Sequence, residues 1–200
     1  MIFHDVDQNS EDWMALRTGK FTASTFSDLF AKRDSVTYRK AIINVAYERV
    51  TGESEESYSN KWMQRGHERE PFARELYESL TFTELENGGF YEYNDFVGAS
   101  PDAKIKGLNG GCEFKCPSFP VYHEFLESGF KKIPSTYFWQ VHGQLLCTGW
   151  DFIDYMPYSH PKLKTVPLRI ERDEKAIQML LEQINYAIEQ VKIIVSNIQQ

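Results

Sequence analysis

Apolar residues recur every three or four positions over several stretches of the chain, and this spacing predicts amphipathic helices. Ser10, followed by two acidic residues, predicts the start of a first helix, and Gly19 predicts its end. A short helix is expected after Thr22. The same pattern predicts helices over the ranges 36–50, 60–80, 120–128, 134–148 and 173–198. Pro71 is expected to kink the second of these or to start a new helical segment.

Between these helices lie short aromatic and apolar pieces separated by Gly and Asn, a pattern typical of strands. The predicted strands are 81–85, 90–93, 96–99, 103–106, 111–116, 150–156 and 166–171. The turn residues at 107–111 predict that the fourth and fifth strands form a hairpin. The whole chain, 1–200, is therefore expected to be one α/β (α+β) domain with a mixed central sheet flanked by helices.

Composition narrows the class of protein. The chain is 42% hydrophobic, which suits one globular domain. No apolar run reaches the roughly 20 residues that span a bilayer, and the N-terminus does not resemble a secretory signal, so a soluble intracellular protein is expected. The net charge of −7 argues against a generally basic nucleic-acid-binding protein. It does not exclude a nuclease, because the metal site of a nuclease is itself acidic.

The cysteines do not indicate a disulfide framework or a zinc site. Cys112, Cys116 and Cys147 cannot all pair within one chain, and no CxxC pair is present. If 111–116 is a strand, its side chains alternate, so Cys112, Phe114 and Cys116 share one face. We expect that face to pack against the core.

The opposite face of the same strand presents Glu113 and Lys115. Asp102 precedes the neighbouring strand, so the predicted hairpin would bring it beside Glu113. Two adjacent carboxylates repel each other, and oxygen-only ligands favour Mg²⁺ or Mn²⁺. A nearby lysine could orient a metal-bound water or accept its proton, a combination that suits attack on a phosphate. The alternative is a solvated surface charge pair, which is the commoner meaning of Glu-x-Lys on a strand.

Several segments together resemble the bacteriophage lambda exonuclease and YqaJ-type viral recombinase family of PD-(D/E)XK nucleases. They are Leu16–Ser24, Gly98–Asp102, Cys112–Pro117, Gln140-Val141 and Ile170–Lys175. The resemblance runs from about Trp13 to the last helix and is weakest at 31–60 and 81–95. It implies a restriction-endonuclease-like fold.

The resemblance also implies the roles of individual residues. Asp102, Glu113, the backbone carbonyl of Phe114 and Glu70 would be metal ligands, for two Mg²⁺ ions or their substitute Mn²⁺. Lys115 and Gln140 would complete the catalytic set. Glu68 competes with Glu70 for the helical position, and Glu70 could instead pair with Arg74 on the surface. Gln144, one turn after Gln140, is expected to be exposed.

Further positions match the DNA-end site of the family. Arg17 and Ser24, with Ser100 as a third candidate, would bind the 5′-phosphate of DNA, which agrees with the forked geometry of arginine. Met63 lies where the family has an apolar wedge that separates the terminal base pair, but a single apolar residue also suits a core. His142 is expected to be a partly buried, satisfied histidine.

The implied activity is 5′-to-3′ digestion of double-stranded DNA into 5′-mononucleotides, leaving 3′ overhangs for phage-type recombination. The resemblance further implies a ring-shaped homotrimer, a single-strand annealing protein as partner, and a phage or prophage origin with action in the bacterial cytoplasm. Two alternatives stay open: an endonuclease or nickase of the same fold, and a non-catalytic module that binds DNA ends.

Overall fold

The structure, a computed structural model, describes residues 1–54 and 61–199, with no side chain described for 61–64, 67, 135 and 136. The helices are α1 (Glu11–Arg17), a 3₁₀ helix (Ala23–Phe30), α2 (Val36–Thr51), α3 (Lys61–Thr81), α4 (Phe119–Glu127), α5 (Ser135–Thr148) and α6 (Glu174–Ile198). The strands are β1 (Ile2–His4), β2 (Phe21–Thr22), β3 (Leu85–Asn87), β4 (Phe90–Asn94), β5 (Val97–Ala99), β6 (Ala103–Ile105), β7 (Gly110–Lys115), β8 (Phe152–Pro157) and β9 (Leu168–Glu171). None of the described helices is long and apolar enough to cross a membrane.

Local capping chemistry sets several helix ends where the sequence predicted them. The Ser10 hydroxyl accepts a hydrogen bond from the Trp13 amide at 3.2 Å and thereby caps α1. At the C-terminal end of α2, Gly52 has a φ of 73° and ends the helix in the left-handed conformation. Asp173 caps α6 by accepting from two backbone amides.

The strands form two sheets, and the predicted mixed α/β class is confirmed. A five-stranded sheet has the order β3-β6-β7-β8-β9, and a four-stranded sheet has the order β1-β4-β5-β2. The predicted hairpin joins β6 and β7, with Ala103 opposite Cys112. β8 lies parallel to β7, so the chain must cross over between them, and α4 and α5 form that crossover.

The central strand β7 separates two environments. Cys112 and Phe114 are buried in a hydrophobic cluster with Tyr77 of α3, as the alternation predicted. Cys116 was expected on the same face but follows the end of β7 and is only half-buried. Glu113 points the other way, and its side chain contacts α5. Glu113 and Lys115 therefore lie on the face of the strand opposite to the α3 cluster.

Two local predictions differ from the structure, the first of them only in part. Of the two outcomes expected at Pro71, no new helical segment starts there, because Pro71 lies inside α3; the kink stays a prediction. The predicted strand 81–85 is also misplaced, because α3 continues to Thr81 and the strand begins only at Leu85. The Thr81 hydroxyl donates to the carbonyl of Tyr77, which satisfies a carbonyl in the last helical turn.

We expect Gly111→Ala to destabilise the fold, by about 1–3 kcal/mol, because overpacked sites cost that much. A Cβ at this position would lie 2.5 Å from the carbonyl oxygen of Ala103, and relief would require the backbones of β6 and β7 to separate. Urea unfolding followed by circular dichroism measures the effect. Gly66→Ala is the matched control, since a Cβ there meets nothing within 4 Å. Equal stability of the two variants would contradict the prediction.

Candidate active site

The hairpin brings Asp102 beside Glu113. Ala103 of β6 is paired with Cys112 of the antiparallel strand β7. The residue before Ala103, Asp102, therefore lies opposite the residue after Cys112, Glu113. The backbone amide of Phe114 donates to Asp102 Oδ2 at 2.7 Å, and Gln8 donates to Oδ1 at 3.3 Å. Arg74 of α3 donates to the Asp102 carbonyl at 2.7 Å. The Asp102 carboxylate is therefore held from both the hairpin and the N-terminal segment.

Glu113 is a buried carboxylate, 1% exposed, with three side-chain donors. Lys115 Nζ lies 2.5 Å from its Oε1, and Gln140 donates to the same oxygen at 2.6 Å. Gln144 donates to Oε2 at 2.5 Å. A buried charge is tolerable only when it is paired and hydrogen-bonded in this way. The alternative of a solvated surface pair does not fit this environment.

The expectation that Gln144 is exposed is wrong. Its side chain is fully buried and contacts Glu113 just as Gln140 does. The spacing of Gln140 and Gln144 places both on one face of a helix, and that signal could have revealed the pair. What the sequence did not show is that this face of α5 lies over β7.

The electrostatics of the site are dominated by crowded negative charge. Burial raises the pKa of the Asp102 carboxyl well above its usual range, and the charges of Glu113 and Glu70 add to this effect. Burial alone would lower the pKa of Lys115, but the carboxylates of Glu113 and Asp102 outweigh it and raise that pKa. Lys115 is therefore a cation at neutral pH in this arrangement. It is suited to orient or neutralise a ligand rather than to accept a proton.

The two candidate glutamates of α3 differ in position. Glu70 is half-buried and close enough to Asp102 for its charge to raise the pKa of that carboxyl, whereas Glu68 is exposed. Glu70 also borders a groove of about 480 Å³, together with Gln8 and Arg74. Within the described residues, no three His, Cys, Asp or Glu side chains converge closely enough to hold a metal ion. The structure thus pairs Asp102 with Glu113 and leaves Glu70 nearby.

The chemistry of this pair fits a hard divalent cation. Asp102 and Glu113 offer carboxylate oxygens, which Mg²⁺ and Mn²⁺ prefer. Burial and, after it, the charges of Glu113 and Glu70 raise the pKa of Asp102, and a cation would relieve the repulsive part of that effect. Gln144 Oε1 is buried next to Glu113 without a hydrogen-bond partner among the described residues, so it could accept a hydrogen bond from a polar group bound there. Asp102 and Glu113 would both be ligands of the cation, and the Phe114 carbonyl and the Glu70 carboxylate would supply further ligand oxygens.

The residues predicted to bind phosphate are connected by hydrogen bonds and one cation–π contact. The Arg17 guanidinium stacks on the Trp13 ring at 4.1 Å and donates to the Thr22 hydroxyl at 3.3 Å. The Thr22 and Ser24 hydroxyls are 3.2 Å apart, and Trp13 Nε1 donates to the Ser100 hydroxyl at 2.6 Å. Two further residues, Trp13 and Thr22, therefore connect the predicted phosphate-binding side chains. Neither Trp13 nor Thr22 was predicted to belong to the site.

Two other predicted residues add less to the site. The side chain of Met63, the candidate wedge, lies outside the described residues. His142 was expected to be partly buried and satisfied, but it is fully buried: its Nδ1 lies 2.9 Å from the Phe138 carbonyl, and its Nε2 has no hydrogen-bond partner among the described residues. Burial lowers the pKa of this imidazole, so His142 is a neutral group in the interior of α5.

The mixed sheet and the Asp102–Glu113–Lys115 arrangement define the PD-(D/E)XK class of nuclease fold. The sequence model of one family within this class, the YqaJ-like viral recombinase domain, matches residues 12–151. The chain belongs to that family. No functionally curated protein was found to match the chain.

Solved structures agree with this assignment. The chain is similar to an alkaline exonuclease, LHK-Exo, from Laribacter hongkongensis, with a TM-score of 0.85 and 28% identity over 95% of this chain and 96% of that one. The same values hold for LHK-Exo in complex with dAMP. A phage-related exonuclease from Haemophilus somnus 129PT has a TM-score of 0.68 and 17% identity, covering 92% of this chain and 99% of that one. The last of these supports the fold alone.

We expect Asp102→Asn to stabilise the metal-free protein at neutral pH. Because the pKa of Asp102 is raised in the folded state, that state holds the proton more tightly than the unfolded chain. Wild-type stability therefore falls as the pH rises from the usual carboxyl value through the raised one, whereas the amide does not titrate. A chain of this size gains about 2–4 °C in Tm per kcal/mol.

Thermal unfolding with a chelator present, compared at about pH 4 and pH 7.5, measures this difference. Asp34→Asn is the control, since that aspartate is exposed in a turn. A Tm gain for Asp102→Asn that did not shrink at the lower pH would contradict the assigned repulsion.

Proposed function

We propose that the chain is a magnesium-dependent exonuclease that digests double-stranded DNA from the 5′ end, releasing 5′-mononucleotides and leaving a 3′ single strand. The observation that carries the proposal is that the β6–β7 hairpin brings the Asp102 carboxylate beside Glu113, while Lys115 Nζ lies 2.5 Å from the Glu113 carboxylate. Membership of the YqaJ-like viral recombinase family supports a role in recombination. Similarity to an alkaline exonuclease, also solved with dAMP, supports exonucleolytic digestion to mononucleotides.

Each residue of the site has a distinct task in this proposal. Asp102 and Glu113 hold the cation, which when bound would polarise the scissile phosphate and lower the pKa of the attacking water. Lys115, kept positive by its acidic neighbours, places an ammonium group beside the reacting phosphate. Gln140 holds Glu113 in position by its hydrogen bond of 2.6 Å.

The direction of digestion is proposed from the path that connects Arg17 to Ser24 and Ser100. A guanidinium and two hydroxyls offer the donors that a terminal phosphate requires. Stacking on Trp13 holds the guanidinium of Arg17 in place. Ser100 precedes Asp102 by one proline, so a phosphate bound near Ser100 would lie close to the carboxylates.

The assembly is also part of the proposal: a ring-shaped homotrimer around DNA, working in the bacterial cytoplasm with a single-strand annealing protein. The net charge of −7 supports a closed ring, because an acidic chain has weak general attraction for DNA. A closed ring can instead retain DNA because the DNA passes through its centre and cannot leave sideways. The annealing protein would receive the 3′ strand that digestion leaves.

We expect Lys115→Ala to lower the rate of digestion of linear duplex DNA by at least about a hundredfold. The variant loses the ammonium group beside the phosphate, and removal of one preorganised electrostatic donor typically costs about 10²–10³-fold in rate. Release of acid-soluble nucleotides with and without Mg²⁺ measures the effect, and circular dichroism verifies the fold.

The control is Lys175→Ala, which removes an exposed lysine at the start of α6. Undiminished digestion by Lys115→Ala would refute the mechanism. Covalently closed circular DNA serves as a second substrate, and its cleavage by the wild-type protein would point to an endonuclease instead of an exonuclease.

Arg17→Ala should reduce the preference for 5′-phosphorylated over 5′-hydroxyl ends by about tenfold or more, since a hydrogen bond to a charged group contributes about 1.5–3 kcal/mol. Digestion of the 5′-hydroxyl substrate should change much less. Initial rates on the two substrates give the ratio, with Arg39→Ala on the exposed side of α2 as the control. If Arg17→Ala slows both substrates equally, Arg17 does not recognise the phosphate.

A further inference from the structure

Gln144 is the residue of the site with the least expected environment. Its side chain is fully buried in the middle of α5, one turn after Gln140. A buried amide in a helix that otherwise packs against the hydrophobic core is costly unless its polar atoms are bonded. The amide nitrogen is bonded to Glu113 Oε2 at 2.5 Å, whereas Oε1 has no partner among the described residues.

The same amide nitrogen also approaches the other carboxylate-bearing segment. It lies 3.5 Å from the carbonyl oxygen of Ser100, in the short segment that leads into Asp102. Gln140 has no such second contact among the described hydrogen bonds and donates only to Glu113 Oε1. The two glutamines thus differ: Gln140 holds one carboxylate, and Gln144 lies between the segments that supply both.

We propose that Gln144 is a positioning residue that sets the spacing between Asp102 and Glu113 and thereby the affinity of the site for a divalent cation. This inference rests on the proposed function. The strand pairing alone leaves the Glu113 side chain free to rotate, but donors on both of its oxygens fix its orientation. The contact of Gln144 with the Ser100 carbonyl then connects the Glu113 side chain to the segment that leads into Asp102 and β6.

The unpaired oxygen of Gln144 agrees with this role. A buried acceptor next to Glu113 would take a hydrogen bond from water bound at the carboxylates. Residues that orient ligating carboxylates in this way typically change metal affinity or activity by about 10–100-fold when they are removed.

The test compares Gln144→Met, which keeps the length of the side chain but not its amide, with wild type. Isothermal titration with Mn²⁺ measures cation affinity directly, and the Mg²⁺ concentration for half-maximal digestion measures it in the reaction. We expect both constants to weaken by about 10–100-fold. Cys147→Ala is the control, because Cys147 is buried in the same helix but lies in the hydrophobic cluster.

Gln144→Asn is the second variant and keeps a neutral amide at the buried position, so it guards against a folding failure of Gln144→Met. Its side chain is one methylene shorter, which draws the donor away from Glu113 and Ser100, and we expect it to weaken cation binding as well. A purely structural role would lower the Tm of the Gln144 variants while leaving Mn²⁺ affinity at the value of Cys147→Ala, and that result would overturn the proposal.

The proposal and the proposed function can fail separately. If the wild-type protein binds Mn²⁺ but digests no DNA, the proposed function fails, and the titrations still decide the role of Gln144. If the wild-type protein takes up no Mn²⁺, both are overturned. If it digests DNA and the Gln144 variants keep its affinity for Mn²⁺ and Mg²⁺, only the role of Gln144 is lost.

Discussion

The repulsion between carboxylates at the open end of the β6–β7 hairpin is the constraint on which the site depends. Glu113 is buried, and Asp102 lies beside it with a raised pKa. Charges in such an environment must be compensated by nearby donors or cations. Lys115, Gln140 and Gln144 all bond to Glu113. The arrangement is tolerated in the fold, and it would be fully balanced only by a cation.

The topology explains how these donors reach one carboxylate. β7 and β8 are parallel, and a parallel pair needs a long crossover. That crossover contains α5, which packs over the face of β7 that carries Glu113. The opposite face of β7 packs against α3 through Phe114 and Tyr77. One structural requirement of the sheet therefore places α5 over the site and keeps β7 rigid beneath it.

Local signals in the sequence predicted much of this arrangement, and long-range contacts account for the rest. Ser10, Gly52 and the turn before β7 act on their own neighbours, so the ends of α1 and α2 and the hairpin were predictable. The buried environment of Gln144 and the links through Trp13 and Thr22 depend on residues far apart in the chain. Strand 81–85 was misplaced because α3 continues to Thr81 and Phe82 then adopts a left-handed backbone conformation with a φ of 56°, which the hydrophobic pattern does not reveal.

The proposed function requires a chain of net charge −7 to act on a polyanion. At physiological ionic strength charges are screened beyond roughly 8 Å, so a phosphate bound at the site would interact with its immediate neighbours rather than with the whole chain. Lys115 is a cation at the site, and Arg17 stacks on Trp13 nearby in the proposed phosphate path. In the proposed function, a divalent ion held by Asp102 and Glu113 would make the most negative part of the site attractive to phosphate. The acidic residues would then serve DNA binding only through that cation.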